Sequence, residues 1–223
     1  MLFTLIKETL FVQNNYQKLS QSNVYLIIHP NEYILLIRPL SYPISFCYLR
    51  NLRHTNETYM KIILAQTTDI PVIMQLFQKA RKYMIANNNS SQWGDNYPTI
   101  DIIEEDINKQ QTYLCTINNK IEGVFSLINK PDPTYTTITG RGWLNDNTYL
   151  TLHRIASSGN YKGMGEKLIE WSYQQLPNLR IDTHKDNKPM LHLLNKLNFI
   201  YCGTITVEDG TKRLAFHKTN ATD

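Results

Sequence analysis

Two adjoining stretches of this chain carry residue types that could do chemistry. Asn160-Tyr161-Lys162-Gly163-Met164-Gly165 puts two glycines at the start of a segment whose apolar residues Leu168, Ile169, Trp171 and Leu176 recur near helical spacing. Glycines at that point let the backbone approach a ligand closely, and the unpaired N–H groups of a first helical turn then face outward, ready for an anion. Gly165 is followed by Glu166-Lys167-Leu168, so neither the Gly-Lys-Ser/Thr of a nucleotide triphosphatase nor the third glycine of a dinucleotide fingerprint is present. Just upstream, residues 149–156 read as a strand, and His153 is the side chain there that accepts a proton effectively near neutral pH. Strand alternation predicts one face for Tyr149, Thr151, His153 and Ile155, with Tyr149 placed to relay a proton. The competing reading makes His153 a packed strand residue and leaves proton transfer to water.

Other candidates are weaker. Trp93 and Tyr97 lie in a loop and either wall a substrate pocket or cover the edge of the core, the commoner fate of aromatic side chains. Glu104, Glu105 and Asp106 look like paired carboxylates, yet consecutive helical residues point in different directions, so they read as a solvated face. His184 reads as an ordinary turn histidine. Cys47, Cys115 and Cys202 are widely spaced and lack partners at ligand spacing, which indicates neither a disulfide framework nor a metal site. A reducing cytoplasm is the natural compartment for such a chain. A net charge of +4 with no run of five or more Lys and Arg gives no footprint for nucleic acid.

The elements that must position these residues can be read in order. Residues 61–65 predict a strand, and Thr68-Asp69-Ile70-Pro71 a helix start running to about Ala86, followed by the polar stop Asn87-Asn88-Asn89-Ser90-Ser91. A second helix spans residues 99–109. Thr112–Ile117 and Lys120–Ile128 are strands joined by Asn118-Asn119, a pair suited to the positive φ of a tight hairpin. Pro131-Asp132-Pro133 opens a long connection, with a further strand expected at residues 135–138, and a last hairpin turns at Glu208-Asp209-Gly210. The fold class is mixed α/β. Residues 1–59 differ in kind, with no Gly, Ala or Asp, so the predicted organisation is an extension over 1–59 and one domain over 60–223. The extension reads as a mistaken start, a disordered leader or a small accessory element. Its apolar run at 24–37 is broken by His29-Pro30-Asn31-Glu32 and falls short of the ~20 apolar residues of a membrane span.

The loop Asn160 to Gly165 resembles the pyrophosphate loop of the GNAT family of N-acetyltransferases: Gln or Arg, two residues, Gly, one residue, then Gly or Ala. Asn160 stands where the family has Gln or Arg. The order that follows, residues 179–183, Asn187 and residues 191–199, also matches, and His153-Arg154-Ile155-Ala156-Ser157-Ser158 is similar to a bacterial subfamily mostly of unassigned substrate. The resemblance covers about residues 60 to 218. It implies a central, mostly antiparallel sheet splayed between its fourth and fifth strands and flanked by about four helices, with acetyl-CoA as cosubstrate, an amine acceptor and no metal. It further implies that the backbone of His153, Arg154 and Ile155 pairs with the pantetheine arm, that Asn160, Tyr161, Lys162, Gly163, Met164 and Gly165 cradle the pyrophosphate, and that Asn187 contacts the pantetheine. Trp93 and Tyr97 would then bound the amine pocket, and His153 with Tyr149 would handle the proton. Where many members have Glu early on the fourth strand and Tyr on the last helix, this chain has Tyr149 and Leu194. Those departures leave a CoA-binding module without turnover, a sensor or partner subunit, as the alternative. Neither nucleic acid nor membrane is an expected partner, and the expected state is a monomer or homodimer.

Overall fold

The structure, a computed structural model, describes residues 60–220 and three short strands upstream, β1 (Tyr16–Lys18), β2 (Tyr25–Ile28) and β3 (Ile34–Ile37). The chain divides into two compact units, Met1–Thr58 and Tyr59–Asp223. In the first, β1, β2 and β3 pair antiparallel in that order. The rest of 1–59, and with it the readings of that segment as a leader or a mistaken start, lies outside the described residues.

In the second unit, β4 (Met60–Leu64) leads through a 3-10 turn into α1 (Ile70–Ala86). Pro71 sits in the first turn of α1, where its missing N–H costs nothing. α2 (Ile100–Asn108) starts at Thr99, whose side chain accepts from the Ile102 N–H. β5 (Thr112–Ile117) and β6 (Lys120–Ile128) form the expected hairpin, with Asn118 at φ 50° and Asn119 at φ 62°. Then come β7 (Thr139–Gly140), β8 (Leu150–Ser157), α3 (Met164–Gln175), β9 (Asn178–Thr183), α4 (Lys188–Lys196), β10 (Ile200–Thr206) and β11 (Lys212–Thr219). The eight strands are ordered β4-β5-β6-β8-β9-β11-β10-β7, and every pairing is antiparallel except β8 with β9.

The helices cover the two faces. Ile73 and Phe77 of α1 and Ile103 and Ile107 of α2 pack on Leu114, Val124 and Ala156. On the other face, Met164, Leu168 and Ile169 of α3 and Leu194 of α4 pack on Leu150, Leu152 and Ile181. A third cluster, Tyr135, Ile205 and Ala215, lies where the segment 129–149 crosses the far half of the sheet.

That segment departs from expectation. Residues 135–138 do not extend as a strand; Pro133–Tyr135 is a 3-10 turn, and pairing begins only at Thr139, against β10. The cause is local: Asp132 Oδ1 accepts from the Thr134 N–H at 2.8 Å, which bends the chain just where Pro133 fixes φ. The short β7–β10 contact then needs glycine on both sides, since a Cβ on Gly203 would stand 2.4 Å from Thr139 O and one on Gly140 2.9 Å from Gly203 Cα.

Candidate functional site

The site is organised by two irregularities of β8. Its parallel ladder with β9 holds only Leu150↔Leu179 and Thr151↔Arg180, so beyond Thr151 the two strands part. β8 and β9 are the family's fourth and fifth strands, and this is the expected splay. On its other edge, β8 pairs Ser126↔His153 and Val124↔Ala156, leaving Arg154 and Ile155 opposite Phe125 alone. This is a β-bulge, and Arg154 sits in it at φ 52°. The bulge breaks the alternation. Ile155 therefore packs with Leu152 on the α3 and α4 face instead of sharing the face of His153, which corrects the sequence expectation.

The bulge is held by a buried network. Arg154 Nη2 lies 2.6 Å from Asp106 Oδ2 of α2, and its Nε and Nη1 donate to Ser126 Oγ and Tyr97 Oη, each at 3.1 Å. Ser126 Oγ donates to the same Asp106 oxygen at 2.8 Å. Burial works against the Arg154 charge, but Tyr97 and Asp106 outweigh it and the pKa rises. Asp106 is thus no part of a solvated face: it is buried and paired. The signal was in the sequence, because Asp106 adjoins the apolar stripe of Ile103 and Ile107.

His153 stands at the fork between two carboxylates. Its Nε2 is 2.8 Å from Asp132 Oδ2, and its Nδ1 is 3.6 Å from Asp182 Oδ1 on β9. Burial works to raise the Asp132 carboxyl, but hydrogen bonds from His153 and Thr134 overcome it and hold the group down at about 2. Tyr149 joins the same cluster, its hydroxyl accepting from the Asp132 N–H at 3.3 Å. Tyr135 donates to Asp182 Oδ1 at 2.8 Å and meets the His153 ring edge-on at 5.9 Å. Arg180 lies over the Tyr149 ring at 3.7 Å and the Trp143 ring at 4.2 Å, with Nη2 donating to Asn145 O. The sequence singled out His153 and Tyr149; Asp132, Asp182 and Tyr135, which the structure gathers around His153, it did not. Only the Pro-Asp-Pro setting of Asp132 marked any of them.

The glycine turn lies on the opposite face. Gly163 caps α3 at φ 74°, a left-handed conformation that disfavours any L side chain. No side chain caps this helix, and its first internal bond runs from Lys167 N–H to Gly163 O, so the N–H groups of Met164, Gly165 and Glu166 precede the ladder. A Cβ on Gly163 would meet nothing within 4 Å. Gly165 has a different role, since a Cβ there would come 3.2 Å from Leu193 Cδ2; it allows α3 to pack closely on α4. Asn160 ties the turn to the sheet through Glu122 Oε2 at 2.9 Å. Tyr161 packs on the core, Met164 is buried and Lys162 is exposed. Asn187 is the N-cap of α4, its Oδ1 accepting from Met190 N–H at 3.2 Å and its Nδ2 donating to Gln92 Oε1 at 3.0 Å.

The two loop aromatics separate. Trp93 is buried against Phe77, with ring centroids 5.6 Å apart, so the core-edge reading describes it. Tyr97 is half-buried and reaches the Arg154 guanidinium. His184 accepts from the Asp186 N–H at 3.3 Å, a local contact of the kind a turn histidine makes. Cys115 and Cys202 are buried free thiols, and among the described residues no helix is long and apolar enough to cross a membrane.

No protein-family model matches the chain, and no curated protein matches it. Solved structures do. A Listeria monocytogenes GNAT acetyltransferase is similar at 18% identity and TM-score 0.54, over 71% of this chain and 94% of that one. A Salmonella typhimurium protein solved with its cofactor acetyl-CoA is similar at 14% identity and TM-score 0.51, over 74% and 95%. Both likenesses bear on the fold. A GNAT-family acetyltransferase from Streptococcus agalactiae is similar at 30% identity and TM-score 0.67, over 73% of this chain and 96% of that one. With that identity over nearly the full length of the streptococcal enzyme, and with the splayed sheet in place, the chain belongs to the GNAT family of acetyltransferases.

Proposed function

We propose that this protein transfers the acetyl group of acetyl-CoA to a primary amine of a small molecule or protein, with His153 as the proton acceptor. The observation that carries the reading is the end of the β8–β9 ladder at Thr151↔Arg180, which opens a strand edge beside an imidazole braced by carboxylates. In this reading the backbone of His153 to Ile155 pairs with the pantetheine arm. The turn from Asn160 to Gly165 takes the diphosphate, helped by roughly half a positive charge at the start of α3. The fit is supported by the uncapped first turn and by the open space at Gly163. Asn187, committed to capping α4, would flank the pantetheine by position. Tyr97 bounds the acceptor side.

The bound thioester supplies the carbonyl that is attacked; the protein's own residues manage charge. An alkyl amine has a pKa near ~10.4 and arrives protonated at neutral pH, so it must lose a proton before its lone pair can react. His153 takes that proton while Asp132 holds its ring, and Tyr149 steadies Asp132 through the Asp132 N–H. A backbone N–H of the bulged segment stabilises the oxyanion developing on the carbonyl. We place the reaction in the cytoplasm, with the protein acting as a monomer or homodimer and needing no metal. The test is release of free thiol from acetyl-CoA with a panel of amines. His153→Gln is expected to lower kcat/KM by roughly 10² while CoA affinity moves only a few fold. Tight CoA binding with no thiol released on any amine would overturn the reading in favour of a binding module.

A further inference from the structure

Resting on that reading, we infer that Asp182 makes the acceptor pocket selective for amines that arrive as cations. Its place in the sheet is the first argument. The ladder ends at Thr151↔Arg180; two residues further along each strand, on the same face, stand His153 and Asp182. On that face they are therefore the first side chains to meet across the opening, Leu152 and Ile181 lying in the core on the other face. Their atoms are 3.6 Å apart, too far for a strong hydrogen bond, while His153 Nε2 is taken by Asp132 at 2.8 Å. The Asp182 carboxylate is held in this position by the buried Tyr135 hydroxyl at 2.8 Å, and its side chain is 10% exposed.

Charge is the second argument. Two carboxylates flank one imidazole, so the cluster keeps at least one net negative charge even when the ring is protonated. Of the neighbouring cations, Arg154 is paired with Asp106, and Arg180, which keeps its charge, is held at Asn145 O over the Trp143 and Tyr149 rings, where the carboxylate that acts on it is Asp146. In so desolvated a position a fixed negative charge attracts an ammonium far more strongly than in water. An alkylammonium also matches the gap, because it has three N–H groups. One can donate to Asp182 while a second points at His153 Nδ1. Transfer of that second proton to Nδ1 frees the nitrogen lone pair and leaves an imidazolium between two carboxylates, with the proton count conserved. An aryl amine, uncharged at neutral pH, gains none of this attraction.

The experiment compares benzylamine, cationic at pH 7.5, with aniline, uncharged there, by thiol release from acetyl-CoA. Wild type is expected to favour benzylamine in kcat/KM. In Asp182→Asn the KM for benzylamine is expected to rise at least tenfold, with a smaller fall in kcat because the imidazolium loses one of its two carboxylates, and the benzylamine-to-aniline preference in kcat/KM to fall at least fivefold. Asp182→Glu should recover part of it. Calorimetric CoA affinity near wild type certifies that each variant is folded. An equal loss on both acceptors, a loss confined to kcat, or a wild-type preference for aniline overturns the inference and leaves acetyl transfer standing. No thiol release from wild type with any amine overturns both.

Discussion

The Arg154–Asp106 pair gives the sharpest test of how the bulge is maintained. Both side chains are only 10% exposed, and they meet at 2.6 Å. Asp106→Asn keeps the shape and removes the charge, leaving a buried guanidinium without its counter-ion. Breaking a buried pair from one side costs about 3–5 kcal/mol, where an exposed pair is worth about 0–1. That would be a large share of the ~5–15 kcal/mol that holds a domain together, and would lower Tm by about 10 °C at this size. The same helix supplies a control: Lys109 and Glu105, 48% and 64% exposed, also pair, and Glu105→Gln should leave the transition unmoved within error. Urea unfolding of the two variants side by side measures the difference. A double replacement, Arg154→Met with Asp106→Leu, removes both charges and should cost less than Asp106→Asn alone. If Asp106→Asn behaves like Glu105→Gln, the buried network does not hold the bulge and the reasoning fails.

Two further expectations follow from other parts of the molecule. Burial first, then Arg180, pushes His217 down to about 4, and the ring is neutral, accepting from Leu144 N–H at Nδ1 and donating from Nε2 to Asn178 Oδ1. The unfolded chain, with a pKa near ~6.5, binds the extra proton between those values, so the stabilisation is complete above pH ~6.5 and is lost as pH falls toward ~4, in total about 3 kcal/mol. Urea midpoints at pH 7.5, 5.5 and 4.5 should fall in that order, and the His217 ring resonances should not titrate until the lowest of them; flat midpoints would refute this. Gly163→Val forces a β-branched residue to φ 74° where its Cβ has open space. The backbone strain is about 1–2 kcal/mol, which the fold survives, while the reshaped turn should raise the CoA dissociation constant at least tenfold by calorimetry. Wild-type affinity in that variant would remove the turn from the binding site.

How much of this was legible in the sequence depends on how local the cause is. The β5–β6 hairpin was legible because Asn118 and Asn119 themselves supply the positive φ of the turn. The strand and helix order was legible from periodicity, and the family from a glycine turn with its flanks. Gly163 and Gly165 looked alike in that motif, yet one bends the chain and the other admits Leu193, a distinction that depends on where α4 packs. The Arg154 bulge was hidden because an arginine does not announce a left-handed backbone as glycine or asparagine does. Asp132 and Asp182 were hidden because they reach His153 from 21 and 29 residues away, through a sheet whose register no local pattern sets.

These hidden features share one physical origin. A sheet that parts in its middle leaves backbone N–H and C=O groups without ladder partners, a cost the rest of the fold must offset. A left-handed arginine adds strain of order 1–2 kcal/mol beside the same opening. The bulge turns Arg154 onto the α2 side, where Asp106, Ser126 and Tyr97 compensate the strain and fix the strand edge. His153, the last residue before the bulge, keeps the face set by Thr151 and so meets Asp182 across the fork. Had β8 run on in regular pairing with β9, no opening would lie beside the imidazole. The bulge fixes the free edge, the end of the ladder exposes it, and the two carboxylates charge the place where they meet.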